Sequence, residues 1–464
     1  MEKINRIPNL LEGEGYKKRI REENERCFLK DKQQVYYDSF ILLEIIPFEK
    51  IDQLIAGLDE LYINNPLIGK SMLNYKECLS NFKSKIFYRF NIPLSPILNS
   101  NKKLFHPISV SHALQEDINS IHISITKIMS SSVLLKIDVR LDNSASDKIN
   151  NIIYQYHKET KEIVKIQKEE IVRIYDPEVV KEKEVCQFKQ DIHKETVDFL
   201  SKYFQGIFFE KAKDHISIVP SIDLFSLVYP EEERGLIDWG FKYRGFFSCL
   251  GTIIGPEYSF KYKNYLFCTE VYRNVEFNNY TVFMNKNMQI NNNTTSIDIN
   301  NSIKREFAYF SFDLFAIGRW VSILESLVGE LNLRITQEIS NIQKDKFNFN
   351  EAIEERKTFL KDIIPYKRFT AEYKSFGHNY GSFPFTSINY NKNENDEGQS
   401  GLFEYFNKNI ISRINGIDSL MESLTKQYGT ILNLKNLEFN KNMQTTMCCL
   451  TILIFIFTLI QIFK

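Results

Sequence analysis

The sequence predicts an α+β cytosolic domain followed by a long-helix stalk and one C-terminal transmembrane helix. Three observations lead there. Between residues 36 and 304, runs that alternate every second residue are interspersed with amphipathic stretches. After Pro384 no proline occurs, and apolar residues recur with steps of three and four from Phe403 to Leu434. From Asn442 to Phe463 the chain carries no charge, and from Met447 onward nearly every residue is apolar. At about 1.5 Å per residue, roughly 20 such residues match a hydrocarbon core about 30 Å thick.

The bulk properties agree with a folded chain of more than one domain. A length of 464 residues exceeds one ordinary core. A hydrophobic content of 43%, with 14% aromatic, is enough to pack cores. The 59 basic and 59 acidic residues cancel, so no direct nucleic-acid binding is expected. The seven cysteines are scattered, with no Cys-x-x-Cys pair, and read as reduced, buried, small apolar residues. The N-terminus lacks an apolar run and so lacks a signal peptide. Lys426, Lys435 and Lys441 precede the apolar tail and only Lys464 follows it. That bias places the protein in the cell membrane as a single-pass chain with its N-terminal bulk cytoplasmic.

Residues 1–35 form a charged N-terminal arm. The mixed α/β region of 36–304 opens with a strand over Phe40–Phe48 and an amphipathic helix over Glu49–Tyr62. Ile121, Ile123 and Ile125, then Val133, Leu135, Ile137, Val139 and Leu141, describe a hairpin with one buried face. Ser146–Glu184 reads as charged helix broken at Pro177, and Ile216–Met284 as strand-rich, with Asn278-Asn279 as a hairpin turn. Asn285–Ser302 is an Asn-rich loop. A helical region of 305–385 follows, its first helix (Phe307–Gln343) showing an apolar face through Leu314, Ile317, Val321, Leu324, Val328 and Leu331. A second helix covers about 350–374, interrupted at Pro365. Residues 386–400 are a flexible linker, 401–442 the stalk helix, and 443–463 the transmembrane helix.

Few residues carry chemistry. In the apolar tail, Gln444, Thr451 and Thr458 are spaced by seven, with Cys448 and Gln461 nearby on the same face. Polar groups in hydrocarbon prefer other helices or water, so Gln444, Thr451, Thr458 and Gln461 are expected to face a pore or a shared seam. A threonine bonded to its own backbone is the plainer reading. Arg234, Trp239, Lys242 and Arg244 lie in a glycine-rich stretch and are a weak ligand-binding set suited to phosphate, with strand turns as the alternative. Asn393, Asn395, Glu397, Gly398 and Glu404 mimic a calcium loop, although a polar linker explains them better. The two His-Lys-Glu-Thr stretches, at His157 and His193, read as solvated helix. Neither catalytic nor metal-ligating residues stand out, and the chain is read as a non-enzyme with no cofactor identified.

The order of these parts, with Asn440-Lys441-Asn442-Met443 before the apolar tail, resembles the CorA-like family of divalent-cation channels. The resemblance covers roughly residues 305–463. It implies a membrane-bound homo-oligomer, a pentamer, whose stalk helices converge on a gate. The Gly-Met-Asn filter and the second span of that family are absent. Some CorA-like proteins are membrane effectors of prokaryotic antiviral defence, including type III CRISPR-associated ones, opened by a nucleotide signal. The resemblance therefore implies a channel or pore-forming effector gated by a small nucleotide ligand on the cytosolic domain. A tail-anchored membrane interaction or scaffold protein without transport activity is the alternative.

Overall fold

In the computed structural model, the described residues are 13–62, 79, 91–100, 110–129, 131–166, 169–212, 215–255, 259–269, 279–286, 312–342, 367–375, 386–387 and 402–462. They fall into two compact units, one comprising 1–319 and 365–408 and the other 320–364 and 409–464.

An 11-stranded mixed sheet forms the first unit, in the order β13-β10-β11-β12-β9-β1-β6-β5-β3-β4, with β2 paired to β5. The strands are β1 (Tyr36–Pro47), β2 (Asn91–Pro93), β3 (Ile97–Asn99), β4 (Val110–His112), β5 (Ile118–Met129) and β6 (Ser132–Leu141). They continue as β7 (Thr160–Ile166), β8 (Glu169–Tyr175), β9 (Ser221–Leu227), β10 (Ser259–Tyr262), β11 (Tyr265–Thr269), β12 (Asn279–Asn285) and β13 (Thr386–Ser387). β5 and β6 are the expected hairpin, with Ile121 opposite Val139 and Ile125 opposite Leu135. Their β-branched residues fit a pleated, buried face. β12 joins β9 in parallel, while β9–β1 and β1–β6 are antiparallel. Central β9 is buried along its whole length, which requires cover on both faces.

Cover on one face comes from α1 (Glu14–Arg26), α2 (Ile51–Tyr62), α3 (Asn143–Tyr154), α4 (Pro177–Leu200), α5 (Glu233–Lys242) and α6 (Arg244–Cys249). The opposite face meets the start of α7 (Asp313–Ile342) and a helical segment over 367–375. There Phe315 stacks on Phe267 with ring centroids 5.2 Å apart, Lys136 lies over Phe312, and Ser131 donates to Glu372 at 3.2 Å.

Two readings of the first unit need correction. Pro177 does not break a helix. It opens α4 at the first helical position, where its missing N–H costs nothing. The charged stretch ahead of it is not helix but the two-stranded sheet β7–β8, following α3. Likewise the glycine-rich part of the presumed strand region is the helix pair α5–α6. The Asn278 turn, the Asn-rich loop beyond 286, residues 343–366 and, beyond β13 at its start, the linker with its calcium-like pattern lie outside the described residues. Of that pattern only Glu404 is described, and it is exposed.

The second unit contains the rest of α7 and of α8 (Leu402–Ile462), a 61-residue helix. The predicted stripes are buried: Leu314, Ile317, Val321, Leu324, Val328 and Leu331 on α7, and Ile410, Ile414, Ile417, Met421 and Leu424 on α8. Arg413 of α8 donates to Ser322 and pairs with Glu325 at 3.8 Å, so the two helices lie side by side at that point. The stripe from Ile410 to Leu424 is thus satisfied within the chain and is not left open as a seam between copies.

The transmembrane helix is overturned. Among the described residues no helix is long and apolar enough to cross a membrane. Lys441, Asn442, Gln444, Thr445 and Thr446 keep α8 polar and exposed up to Met447. From Met447 to Ile454, the last residue whose side chain is described, the apolar run covers about 12 Å of the roughly 30 Å needed. Without a span, the single-pass membrane localisation and the orientation drawn from the lysines fall with it.

Candidate functional site

α4 carries an unusual buried stripe. Its inward residues, Lys181, Val185, Lys189, Ile192, His193, Thr196 and Leu200, follow the three-and-four spacing of an apolar face, yet include two lysines and a histidine. Lys189 and His193 are one turn apart and point together at the centre of the sheet. Opposite them Asp223 stands in the middle of β9, in register with Phe40 of β1. A bulge between Tyr37 and Ser39 brings the Tyr37 and Phe40 side chains to the same face.

Asp223 is the hub. Its Oδ2 pairs with Lys189 Nζ at 2.9 Å, and its Oδ1 accepts from Tyr37 Oη at 2.6 Å and lies 3.2 Å from His193 Nε2. Tyr37 Oη and His193 Nε2 are themselves 3.2 Å apart, and Lys189 also donates to the Leu250 carbonyl at the end of α6 at 3.2 Å. All four side chains are buried, with Phe40 packed against the imidazole at 4.2 Å and Phe225 stacked on Tyr37 at 4.7 Å.

Burial alone would raise the Asp223 carboxyl. The ammonium of Lys189, followed by His193 and the Tyr37 hydroxyl, outweighs it and holds the group well below the usual carboxylate range. Burial, then the Asp223 charge, pushes the Tyr37 hydroxyl well above its ordinary value. The arrangement resembles an acid–base relay in its residue types, but each member is sealed from solvent. Such a closed charged cluster pins α4 and α6 to β1 and β9.

A second buried carboxylate sits further along the same face. Glu44 of β1 accepts the backbone N–H groups of Phe208, at 2.9 Å, and Phe209, both in the turn that follows α4. Burial dominates and pushes Glu44 up to about 8 against the opposing backbone donors. Gly206 leaves room for it, since a Cβ there would stand 2.3 Å from Glu44 Oε1.

The expected site residues lie elsewhere. Arg234 and Lys242 are exposed near opposite ends of α5 and Arg244 opens α6, also exposed. Trp239 packs among Tyr229, Tyr243 and Phe247. On α8, Gln444 and Thr451 are exposed, and Thr451 donates to the Met447 carbonyl at 2.8 Å, the plainer of the two readings. The side chains of Thr458 and Gln461 lie outside the described residues. Neither histidine expected in solvent is solvated. His193 belongs to the hub, and His157 is partly buried with its N–H donated to Asn24 and its ring on Ile152 O. Among the described residues no group of three or more His, Cys, Asp or Glu is placed to hold a metal ion.

What the sequence reading missed is the charge on a buried stripe. Helical periodicity counts Lys as polar, so α4 was read as a solvated helix. A mid-strand Asp in the run Ser-Ile-Asp-Leu-Phe-Ser-Leu was the available signal, because an apolar strand seldom carries an acid without a buried cation to meet it. Compared with protein-family models, with curated proteins and with solved structures, the chain matches none.

Proposed function

We propose that this protein is a homo-oligomeric interaction protein whose copies associate through the last described turns of α8. The observation that carries the reading is a row of large apolar side chains left in solvent there. Phe439, Met443, Met447, Leu450 and Ile454 make up the row, Ile454 exposed by 64%, while Leu437, Ile452 and Leu453 are exposed at other angles around the helix. A helix that leaves such a row open marks an interaction surface.

A second copy is the occupant that suits its pattern. Met443, Met447, Leu450 and Ile454 follow steps of four, three and four, the d-a-d-a order of a heptad seam. In that register Asn440 takes the preceding a position, where a buried Asn sets alignment between identical helices. From Asn442 to Ile454 no charge opposes the approach of an identical chain. The row is also not a continuation of the stripe covered within the chain. At about 100° per residue, Met443 lies roughly 100° around the helix from Leu424. Gln444 and Thr451 fall beside this seam and Thr446 on its other flank.

Size-exclusion chromatography with light scattering, run with and without a mild non-ionic detergent, tests the reading. The full chain is expected to run as a defined oligomer. Met447→Glu combined with Leu450→Glu, both at exposed positions, is expected to yield a folded monomer with unchanged circular dichroism. A wild-type chain that is monomeric at micromolar concentration, or an oligomer indifferent to both substitutions, sinks the proposal.

A further inference from the structure

α8 carries a second set of exposed apolar side chains, turned away from the row of Met443, Met447, Leu450 and Ile454. Ile452 is exposed by 53% and Leu453 by 50%, and just before them stand two free, exposed thiols, Cys448 and Cys449. These two depart from the expectation of buried cysteines, which holds for Cys27, Cys249 and Cys268.

The helix fixes where the thiols point. At about 100° per residue, Cys448 lies roughly 130° from the midline between Met447 and Leu450, and Cys449 the same angle on the opposite side. Both stay open whether or not a second copy covers that row, so nothing here rests on the association of copies. Ile452 is four residues beyond Cys448 and Leu453 four beyond Cys449. Each thiol thus has an exposed apolar side chain one turn further along its own face. One turn earlier the same faces are polar: Gln444 and Thr445 are exposed, and Thr445 Oγ1 donates to the Lys441 carbonyl at 2.9 Å. A group carried on either sulfur therefore meets apolar surface in one direction, toward Ile452 and Leu453.

An apolar strip by itself does not specify what covers it. A nucleophile at its start does, because a thiolate takes up an acyl group whose chain the strip then shelters. We infer that Cys448 and Cys449 are S-acylation sites for long-chain fatty acyl groups delivered as thioesters. The cysteine sulfur attacks the carbonyl carbon of the acyl donor, and a new S–C bond forms. The S–C bond to the carrier breaks, and the carrier sulfur takes up the proton that the cysteine released. One protein thiol and one acyl thioester become one protein thioester and one carrier thiol, with no change in oxidation state. The acyl chain lies along Ile452 or Leu453 and removes its methylenes from water together with theirs.

The test incubates the full chain with palmitoyl-coenzyme A below its micellar concentration and, in parallel, with acetyl-coenzyme A. Peptides are then mapped by mass spectrometry with and without neutral hydroxylamine. A hydroxylamine-sensitive palmitoyl group on Cys448, Cys449 or both is expected, and Cys448→Ser with Cys449→Ser removes it. Its formation should outpace acetylation about tenfold, since burying two methylenes of the longer chain is worth roughly that factor. Ile452→Ser with Leu453→Ser is expected to bring the palmitoyl rate down to the acetyl rate, with the acetyl rate and circular dichroism unchanged. No palmitoyl group at either cysteine overturns the site. Equal rates for the two thioesters, or a palmitoyl rate unchanged in the Ile452, Leu453 variant, overturn the long-chain assignment and leave two ordinary surface thiols. The same variant should keep the oligomeric state of the wild type, so this inference and the association of copies fail separately.

Discussion

Replacing Asp223 by Ala is expected to cost about 3–5 kcal/mol, enough to leave the sheet unit largely unfolded at ambient temperature. The substitution removes the carboxylate that faces both Lys189 and His193, and it takes the acceptor from Tyr37. Lys189 keeps the Leu250 carbonyl but loses the Asp223 carboxylate, and a buried ammonium that loses its paired anion is far costlier than the pair. Urea denaturation followed by circular dichroism measures the effect. Asp223→Asn keeps the shape and an acceptor for Tyr37 and falls between wild type and Ala. The double variant Asp223→Leu with Lys189→Met, which exchanges the pair for apolar groups of similar volume, recovers most of the loss. An Asp223→Ala protein within about 1 kcal/mol of wild type would mean that the cluster does not pin the helix.

The pH dependence follows in sign. The folded carboxyl of Asp223 is held below its unfolded value, so its contribution is complete above the unfolded range near 4 and is lost as pH falls toward the folded value. Acid unfolding should therefore be shallower in Asp223→Asn than in wild type.

How much of this was legible depends on whether one chemical property or two had to be weighed at each position. The α7 and α8 stripes and the β5–β6 hairpin are uniformly apolar on one face, so periodicity alone finds them. α4 defeats the same test, because Lys181, Lys189 and His193 occupy positions where the pattern expects Leu or Val. Their burial is bearable only through partners more than 25 residues away in sequence, at Ile153 and Asp223, and no local pattern encodes those. The α5–α6 pair was hidden by its glycines, which the sequence offers as turn residues and the structure uses for close helix packing. At the end of α8, composition suggested a membrane span. The same apolar residues stand as an open row on a helix whose described part is too short for that purpose.

Glu44 supplies the second large effect, with the opposite dependence on pH. Two forces compete at its carboxyl. The N–H groups of Phe208 and Phe209 are arranged as if for an anion, while burial disfavours the charge more strongly. With burial ahead, the folded group rises from 4.5 to about 8. Folding then binds a proton that the unfolded chain releases. The stabilisation is complete below the unfolded value and drains away as pH climbs through the interval toward the folded value. At about 1.4 kcal/mol per pH unit, the full interval is worth on the order of 5 kcal/mol. Glu44→Gln retains an acceptor and a donor of nearly the same shape and cannot ionise. Its stability is expected to stay flat between pH 5 and 8, roughly the interval between the unfolded and folded values, while that of wild type declines, so the two curves diverge toward alkaline pH. Denaturation midpoints across that range decide the matter. If wild type gains stability with rising pH relative to Glu44→Gln, the backbone donors have won, and the turn around Gly206 is an anion cradle and not a seat for the neutral acid.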